Sequence, residues 1–216
     1  MSRTMALRST TARIYLTLKL SKMTFQKYSD YFQNIINTPF DKQSAPYNKA
    51  DYINYTRLNW SRMNRWLKTG KLSDELKNAV REVNIPQHWT VITEPWCGDA
   101  AHSVPFIELA SAENPLITVS YELRDSEPFR INDYLTHGTK SIPKLIMQDA
   151  TGNDLGSWGP RPKDCQDLYA KLLAESADFE KIKTEIQHWY NTNKGEDLQN
   201  ELSALITQPV PLGLPR

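Results

Sequence analysis

From Thr24 onward, apolar side chains recur every three or four positions. Phe25, Tyr28, Phe32, Ile35 and Ile36 form one stripe, the period of an amphipathic helix. A loop rich in Pro, Asn and Ser, from Asn37 to Asn48, separates it from a second helical pattern. There Tyr52, Tyr55, Leu58, Met63, Trp66 and Leu67 fall near one side, and Gly70 ends the run. Ser73 is placed to cap a third helix carrying Leu76, Val80 and Val83, which must stop before Pro86. The aromatic density of this region would suit stacking on bases or sugars, but its helical spacing favours core packing.

The period changes at Trp89. The run from Trp89 to Glu94 is rich in β-branched residues and predicts a buried strand. A helix over Ala100–Ala112, a strand over Leu116–Leu123 and a short helix over Phe129–Leu135 follow. Ser141–Met147 predicts a third strand, Asp149–Asn153 a turn, and Asp154–Trp158 a fourth strand, with a long helix starting near Pro162. The order β-α-β-α-β-β-α predicts an α/β fold with a central mixed four-stranded sheet flanked by helices. The expected organisation is a helical region over 24–86 packed on a core of 87–190, then a C-terminal helix and irregular tail over 191–216.

The first 29 residues contain no acidic side chain but carry Arg3, Arg8, Arg13, Lys19, Lys22 and Lys27. Residues 1–23 are therefore expected to be a disordered basic leader. Its composition fits an organellar transit peptide, and also a plain tail upstream of a start at Met5 or Met23, the weightier reading. Over the whole chain the charges balance: 26 Lys and Arg against 25 Asp and Glu give a net +1, with no global pull toward nucleic acid or an anionic membrane. No apolar run approaches the ~18 residues of a membrane span. Two cysteines are too few for a disulfide framework or a structural zinc site, so a reducing, cytoplasmic setting is the default. Four scattered histidines add no metal-ligand spacing.

Candidate chemistry centres on Cys97, in Glu94-Pro-Trp-Cys-Gly-Asp-Ala-Ala-His102. A cysteine between a strand and a helix N-terminus meets free backbone amides and the positive end of the helix dipole. Both lower a thiol's usual pKa of ~8.5 and favour the reactive thiolate. Pro95, Gly98 and Asp99 predict an exposed turn rather than a core strand. Asp99 opposes the thiolate by like charge, or serves as the helix cap. His102, on the first turns, is placed to exchange protons with the thiol, although a lone surface histidine is more often incidental.

These residues resemble the thioredoxin family. Trp96-Cys97-Gly98 matches the start of its active-site motif, and Pro105 falls where the family kinks the following helix. Ser141-Ile142-Pro143 matches the cis-proline segment, and Gly159 the glycine beside the active site. The likeness covers Trp89 to Glu175, about two fifths of the chain. Three departures stand beside it. Ala100 replaces the second cysteine, Asp99 the intervening proline, and Val91 the buried carboxylate. A single-cysteine subgroup with a Trp-Cys-Gly-Asp-Ala motif is similar in all of this, and the Trp158-Gly-Pro-Arg-Pro162 segment also resembles it.

The resemblance implies a thioredoxin-like fold with an N-terminal helical extension and a single nucleophile, Cys97. The active-site turn would then be Trp96, Gly98, Asp99 and Ala100. Ile142, Pro143, Trp158 and Gly159 would face the substrate, and Arg161 would sit near the mouth to steady a thiolate or an anionic group. Cys165 is a weak candidate for a resolving thiol. The function implied is a monothiol thiol–disulfide oxidoreductase acting on a protein or small-molecule disulfide. An external thiol such as glutathione would serve as resolver, with no bound cofactor, metal, nucleic acid or membrane. The alternative is a non-catalytic binding module using the Trp96, Pro143 and Trp158 surface. The sequence leaves the oligomeric state open.

Overall fold

The computed structural model describes residues 22–208. The expectations for the leader before Lys22 and for the tail after Gln208 lie outside these residues. Three helices come first: α1 (Phe25–Asn37), α2 (Ala50–Thr69) and α3 (Asp74–Arg81). Thr24 caps α1 by accepting the Lys27 amide, and Ser73 caps α3 by accepting that of Leu76. Then follow β1 (Gln87–Thr93), α4 (Gly98–Ser111), β2 (Ile117–Leu123), β3 (Lys144–Asp149) and β4 (Asp154–Trp158). The chain closes with α5 (Lys163–Ala174), α6 (Phe179–Asn193) and α7 (Glu196–Thr207).

The sheet is mixed, with strand order β2-β1-β3-β4. β1 and β2 are parallel, joined through the crossover helix α4, while β3 runs antiparallel to both β1 and β4. The hairpin expected around Gly152 is present, and Gly152 supplies the positive φ of 90° that its turn needs. Trp89 through Thr93 are all buried, so the central strand is covered on both faces, which is why its sequence reads as a continuous run rather than an alternation. Helix α4 is likewise apolar on nearly every side and lies inside the molecule.

The helical region and the sheet share one core. Tyr28 and Phe32 of α1, Met63 and Trp66 of α2, and Leu76 and Val80 of α3 belong to the same buried cluster as Trp89, Phe106 and Leu145. Tyr28 stacks on Tyr121 of β2 with ring centroids 5.1 Å apart. Packing therefore runs unbroken across position 86. Met23, expected in the leader, instead pairs with the edge strand: its carbonyl accepts the Tyr121 amide at 2.8 Å.

Three local expectations need correction. The buried face of α2 runs through Ile53, Thr56, Asn59, Met63 and Trp66, while Tyr52 and Leu58 are exposed. Both polar groups are satisfied there: Asn59 donates across the core to the Pro95 carbonyl, and Thr56 turns its hydroxyl back onto the Tyr52 carbonyl of its own helix. The segment Phe129–Leu135 forms only a 3₁₀ turn, Arg130–Asp133, after Phe129 adopts a positive φ of 54°. The C-terminal part holds three helices, separated by Ser176, Lys194 and Gly195, all with positive φ.

Candidate active site

Cys97 is the residue that caps α4. Its Sγ accepts the Ala100 amide at 3.4 Å, and its own amide donates to the Glu94 carbonyl at 2.9 Å. The same sulfur donates to the Ile142 carbonyl at 3.3 Å, which fixes the segment before β3 against the thiol. The Ile142–Pro143 peptide bond is cis. Gly159 completes this floor. Its φ is 114°, and a Cβ there would lie 2.1 Å from the Pro143 carbonyl oxygen, so only glycine fits. Lys144 ties the two segments together, donating from Nζ to the Gly159 carbonyl and the Thr136 hydroxyl, each at 2.8 Å.

The turn is not exposed, as its composition had suggested. Cys97 is only 6% exposed, and Glu94 and Pro95 are buried. Helix α2 covers the turn. Asn59 Nδ2 donates to the Pro95 carbonyl at 3.2 Å, and the Tyr52 ring meets Trp96 edge-on. The Tyr55 ring lies on Gly98, where an added Cβ would be 2.5 Å from the Tyr55 hydroxyl. This cover reverses the expected electrostatics. Burial pushes the Cys97 thiol up to about 12, and the charge of Asp99 adds to the rise; the Ala100 amide and Arg161 oppose it without prevailing. At neutral pH Cys97 is a protonated thiol, consistent with its donating to Ile142.

Asp99 does not cap the helix, since Cys97 does. Its carboxylate is held by the Arg161 fork, with Nη2 at 2.7 Å and Nε at 3.0 Å, and by the Tyr190 hydroxyl at 2.9 Å. Burial pushes the Asp99 pKa up, and Arg161 and Tyr190 work against that rise. Arg161 is thus engaged rather than poised at a mouth. It also donates to Gln166 and lies 4.2 Å over the Tyr169 ring.

His102 is neither on the surface nor available to the thiol. Its Nδ1 accepts the Trp66 indole N–H at 2.9 Å, Nε2 meets Gln187 at 3.2 Å, and the ring stacks on Tyr190 at 4.3 Å. Burial lowers its pKa to about 3, so it is neutral across the physiological range. Trp158 is buried as well, with its indole N–H donating to Glu201 of α7 at 2.6 Å; Pro143 is also buried. Neither offers a surface. Trp96 is half-buried, with the Arg124 guanidinium 4.6 Å above its ring.

Cys165 is a free thiol, fully buried in a separate cluster with Ile186 and Tyr190. Burial pushes it too up to about 12. Sequence reasoning missed Tyr55, Asn59 and Tyr190, whose roles depend on contacts across long stretches of chain. It also missed Glu94, whose carboxyl burial raises to about 7. Among the described residues no cluster of His, Cys, Asp and Glu is suited to a metal, and no helix is long and apolar enough to cross a membrane.

The sequence model of a family described as thioredoxin matches residues 45–183, more than half of the chain. The chain belongs to the thioredoxin family. The match includes α2, so the helix over the Cys97 turn falls within the family's own span. A crystal structure of a protein of unknown function from Pseudomonas aeruginosa is similar in fold, with a TM-score of 0.55 at 16% identity, covering 86% of this chain and 92% of that one. An HIV epitope scaffold superposes with a TM-score of 0.53 at 17% identity, covering 89% and 96%. At such identities the likeness is one of fold alone. No curated protein matches in sequence.

Proposed function

We propose that this thioredoxin-like protein is a monothiol thiol–disulfide oxidoreductase of the single-cysteine Trp-Cys-Gly-Asp-Ala type, working through Cys97. The observation that carries the reading is the Cys97 thiol at the α4 N-terminus, hydrogen-bonded to the Ile142 carbonyl of the Pro143 segment. There the sulfur lies against the backbone of the Ile142–Pro143 segment, where an incoming disulfide would meet it. Cys97 loses its proton to solvent, and the thiolate attacks one sulfur of a disulfide. One Cys97–sulfur bond forms, the substrate S–S bond breaks, and the leaving thiolate takes up a proton. Ala100 cannot resolve the mixed disulfide, so an external thiol such as glutathione attacks it and restores Cys97. The protein works in a reducing compartment such as the cytoplasm, needs no bound cofactor, and engages neither nucleic acid nor membrane.

Because the resting thiol is protonated, exchange is slow at neutral pH and accelerates with alkali. The alkylation rate of Cys97 should climb about tenfold per pH unit from 7 to 10, without the plateau that a thiol of pKa ~8.5 would show. Mass spectrometry after oxidised glutathione should find one adduct on Cys97 that only added thiol removes. The adduct should be absent in Cys97→Ser and retained in Cys165→Ser. A second reading, a non-catalytic binding module, draws on the burial of Cys97 and Ile142. It wins if Cys97 forms no adduct in the native protein although the denatured chain is labelled normally.

A further inference from the structure

Three observations place α2 against the active-site turn at Pro95, Trp96 and Gly98, on either side of Cys97. Asn59 is bonded to the Pro95 carbonyl, Tyr52 packs on Trp96, and the Tyr55 ring sits on the Cα of Gly98. A Cβ at Gly98 would lie 2.5 Å from the Tyr55 hydroxyl, so the lack of a side chain there is what lets an aromatic ring approach the residue next to the nucleophile. Tyr55 is itself held on its free faces: the Arg62 guanidinium lies 5.1 Å from its ring centre and Lys183 Nζ of α6 lies 6.0 Å from it. Arg62 is fixed in turn by Asn59, at 3.0 Å. Tyr55 is therefore braced from its own helix and from α6. So held, the ring stands as a wall over Gly98 that only a side chain added there would push aside.

We propose that Tyr55 sets the substrate size of the Cys97 site, restricting it to low-molecular-weight disulfides and excluding the extended segments of protein disulfides. This rests on the reading of Cys97 as the exchanging thiol. A protein disulfide must lay backbone on both sides of its sulfur along the turn and the Ile142 edge. With Tyr55 on Gly98 and Ile142 itself buried, that track is closed along the turn. A small disulfide needs only a line of approach to Sγ. The step is the balanced one already given: the Cys97 thiol and a disulfide R–S–S–R yield the Cys97 mixed disulfide and R–SH, and a second small thiol regenerates Cys97. Asn59 acts through Arg62 and Pro95 and is a positioning residue for the wall.

The test measures mixed-disulfide formation on Cys97 with oxidised glutathione and with native insulin, in a Cys165→Ser background. The wild-type protein should react with the small disulfide at least about tenfold faster per available disulfide than with insulin. Tyr55→Ala should narrow that ratio about tenfold, chiefly by speeding the reaction with insulin. Leu58→Ala, on the exposed side of the same helix, should leave the ratio unchanged. Should Tyr55→Ala fail to fold, Tyr55→Leu and a size series of maleimides on the wild-type protein serve instead, with labelling expected to fall steeply as the reagent grows. An unchanged ratio in the folded variant, or maleimide rates independent of size, overturns the proposal while leaving the exchange chemistry intact. Failure of Cys97 to react with either disulfide in every variant removes the oxidoreductase reading, and the proposal with it.

Discussion

The floor and the roof of the Cys97 site are built from different materials. The floor is largely backbone: the Ala100 amide and Ile142 carbonyl on the sulfur, and Gly159 against the Pro143 carbonyl. The roof is side chains carried by α2 and α6: Tyr55, Asn59, Gln187 and Tyr190, with Arg161 joining them at Asp99. Within the floor, the Ala100 amide and the helix dipole would favour a thiolate, while the Ile142 carbonyl is matched to the thiol. The roof decides otherwise by excluding water, and the thiol rises to about 12 instead of falling. A helix N-terminus lowers a pKa only while the charge it favours stays solvated enough to exist.

The largest effect is expected where roof and floor are joined by charge. Arg161 and Asp99 have side chains 17% and 12% exposed and share a two-point contact. Removing one partner leaves the other charge buried and unpaired, at a cost of about 3–5 kcal/mol. Arg161→Ala should lower the denaturant midpoint accordingly, and it should also slow Cys97 alkylation, since the lost cation favoured the thiolate. Asp99→Asn should speed alkylation. A folded Arg161→Ala protein with unchanged midpoint and unchanged rate would mean that the pair neither joins the two layers nor tunes the sulfur.

The division between floor and roof is also the division between what was legible in the sequence and what was not. The run Trp89–Thr93, the Gly152 hairpin and the Trp96-Cys97-Gly98 turn declare themselves in a few adjacent residues, because strand burial, turn chemistry and a strand-to-helix junction are local properties. The roof is assembled over distance. Asp99 and Arg161 are 62 positions apart, and Tyr190 is 91 from Asp99. Asn59 looks like a surface polar residue until Pro95, 36 positions away, supplies its acceptor. The split of the C-terminal region into three helices rests partly on Ser176 and Lys194 taking left-handed backbone, which neither residue type announces. Burial of Cys97 follows from all of these together, which is why the local sequence points to a lowered thiol pKa and the fold raises it.

A smaller effect separates the roof's neutral histidine from its ion pair. His102 has its pKa lowered to about 3 by burial, while the unfolded chain titrates near 6.5. Between those values the native state binds fewer protons than the unfolded one. The stabilisation is therefore fully present above about pH 6.5 and lost as the pH falls toward 3, at up to about 1.4 kcal/mol per pH unit. Glu94, raised to about 7, acts in the opposite sense: its carboxyl is more readily protonated in the fold, so acidification from about pH 7 to 4.5 favours the native state. The two partly cancel in the wild type. Chemical unfolding followed from pH 7 to 4 should show a steeper loss of stability in Glu94→Gln than in the wild type. His102→Phe should show a shallower loss, because the ring stack on Tyr190 persists while the proton-binding site does not. Parallel pH profiles for the three proteins would place the acid response elsewhere.

The smallest expected effect tests the contact between roof and floor directly. Gly98→Ala adds a methyl 2.5 Å from the Tyr55 hydroxyl, closer than a carbon can sit to a non-bonded oxygen. The conflict is with the far end of a side chain rather than with backbone, so the ring can swing aside. Overpacking typically costs ~1–3 kcal/mol, but replacing glycine at the start of α4 recovers up to ~1 kcal/mol in helix propensity, and the ring's movement relieves much of the rest. The net change in stability should stay within about 1 kcal/mol. The site should respond more than the stability does: a displaced Tyr55 uncovers the turn, and Cys97 should alkylate faster at fixed pH. In a Tyr55→Ala background the same Gly98→Ala change should be neutral or stabilising and leave the rate alone, because nothing remains to displace. That non-additivity is the signature of direct contact. Additive effects of the two changes would mean that Gly98 and Tyr55 act on Cys97 independently, and that the cover over the thiol is set by α6 rather than by α2.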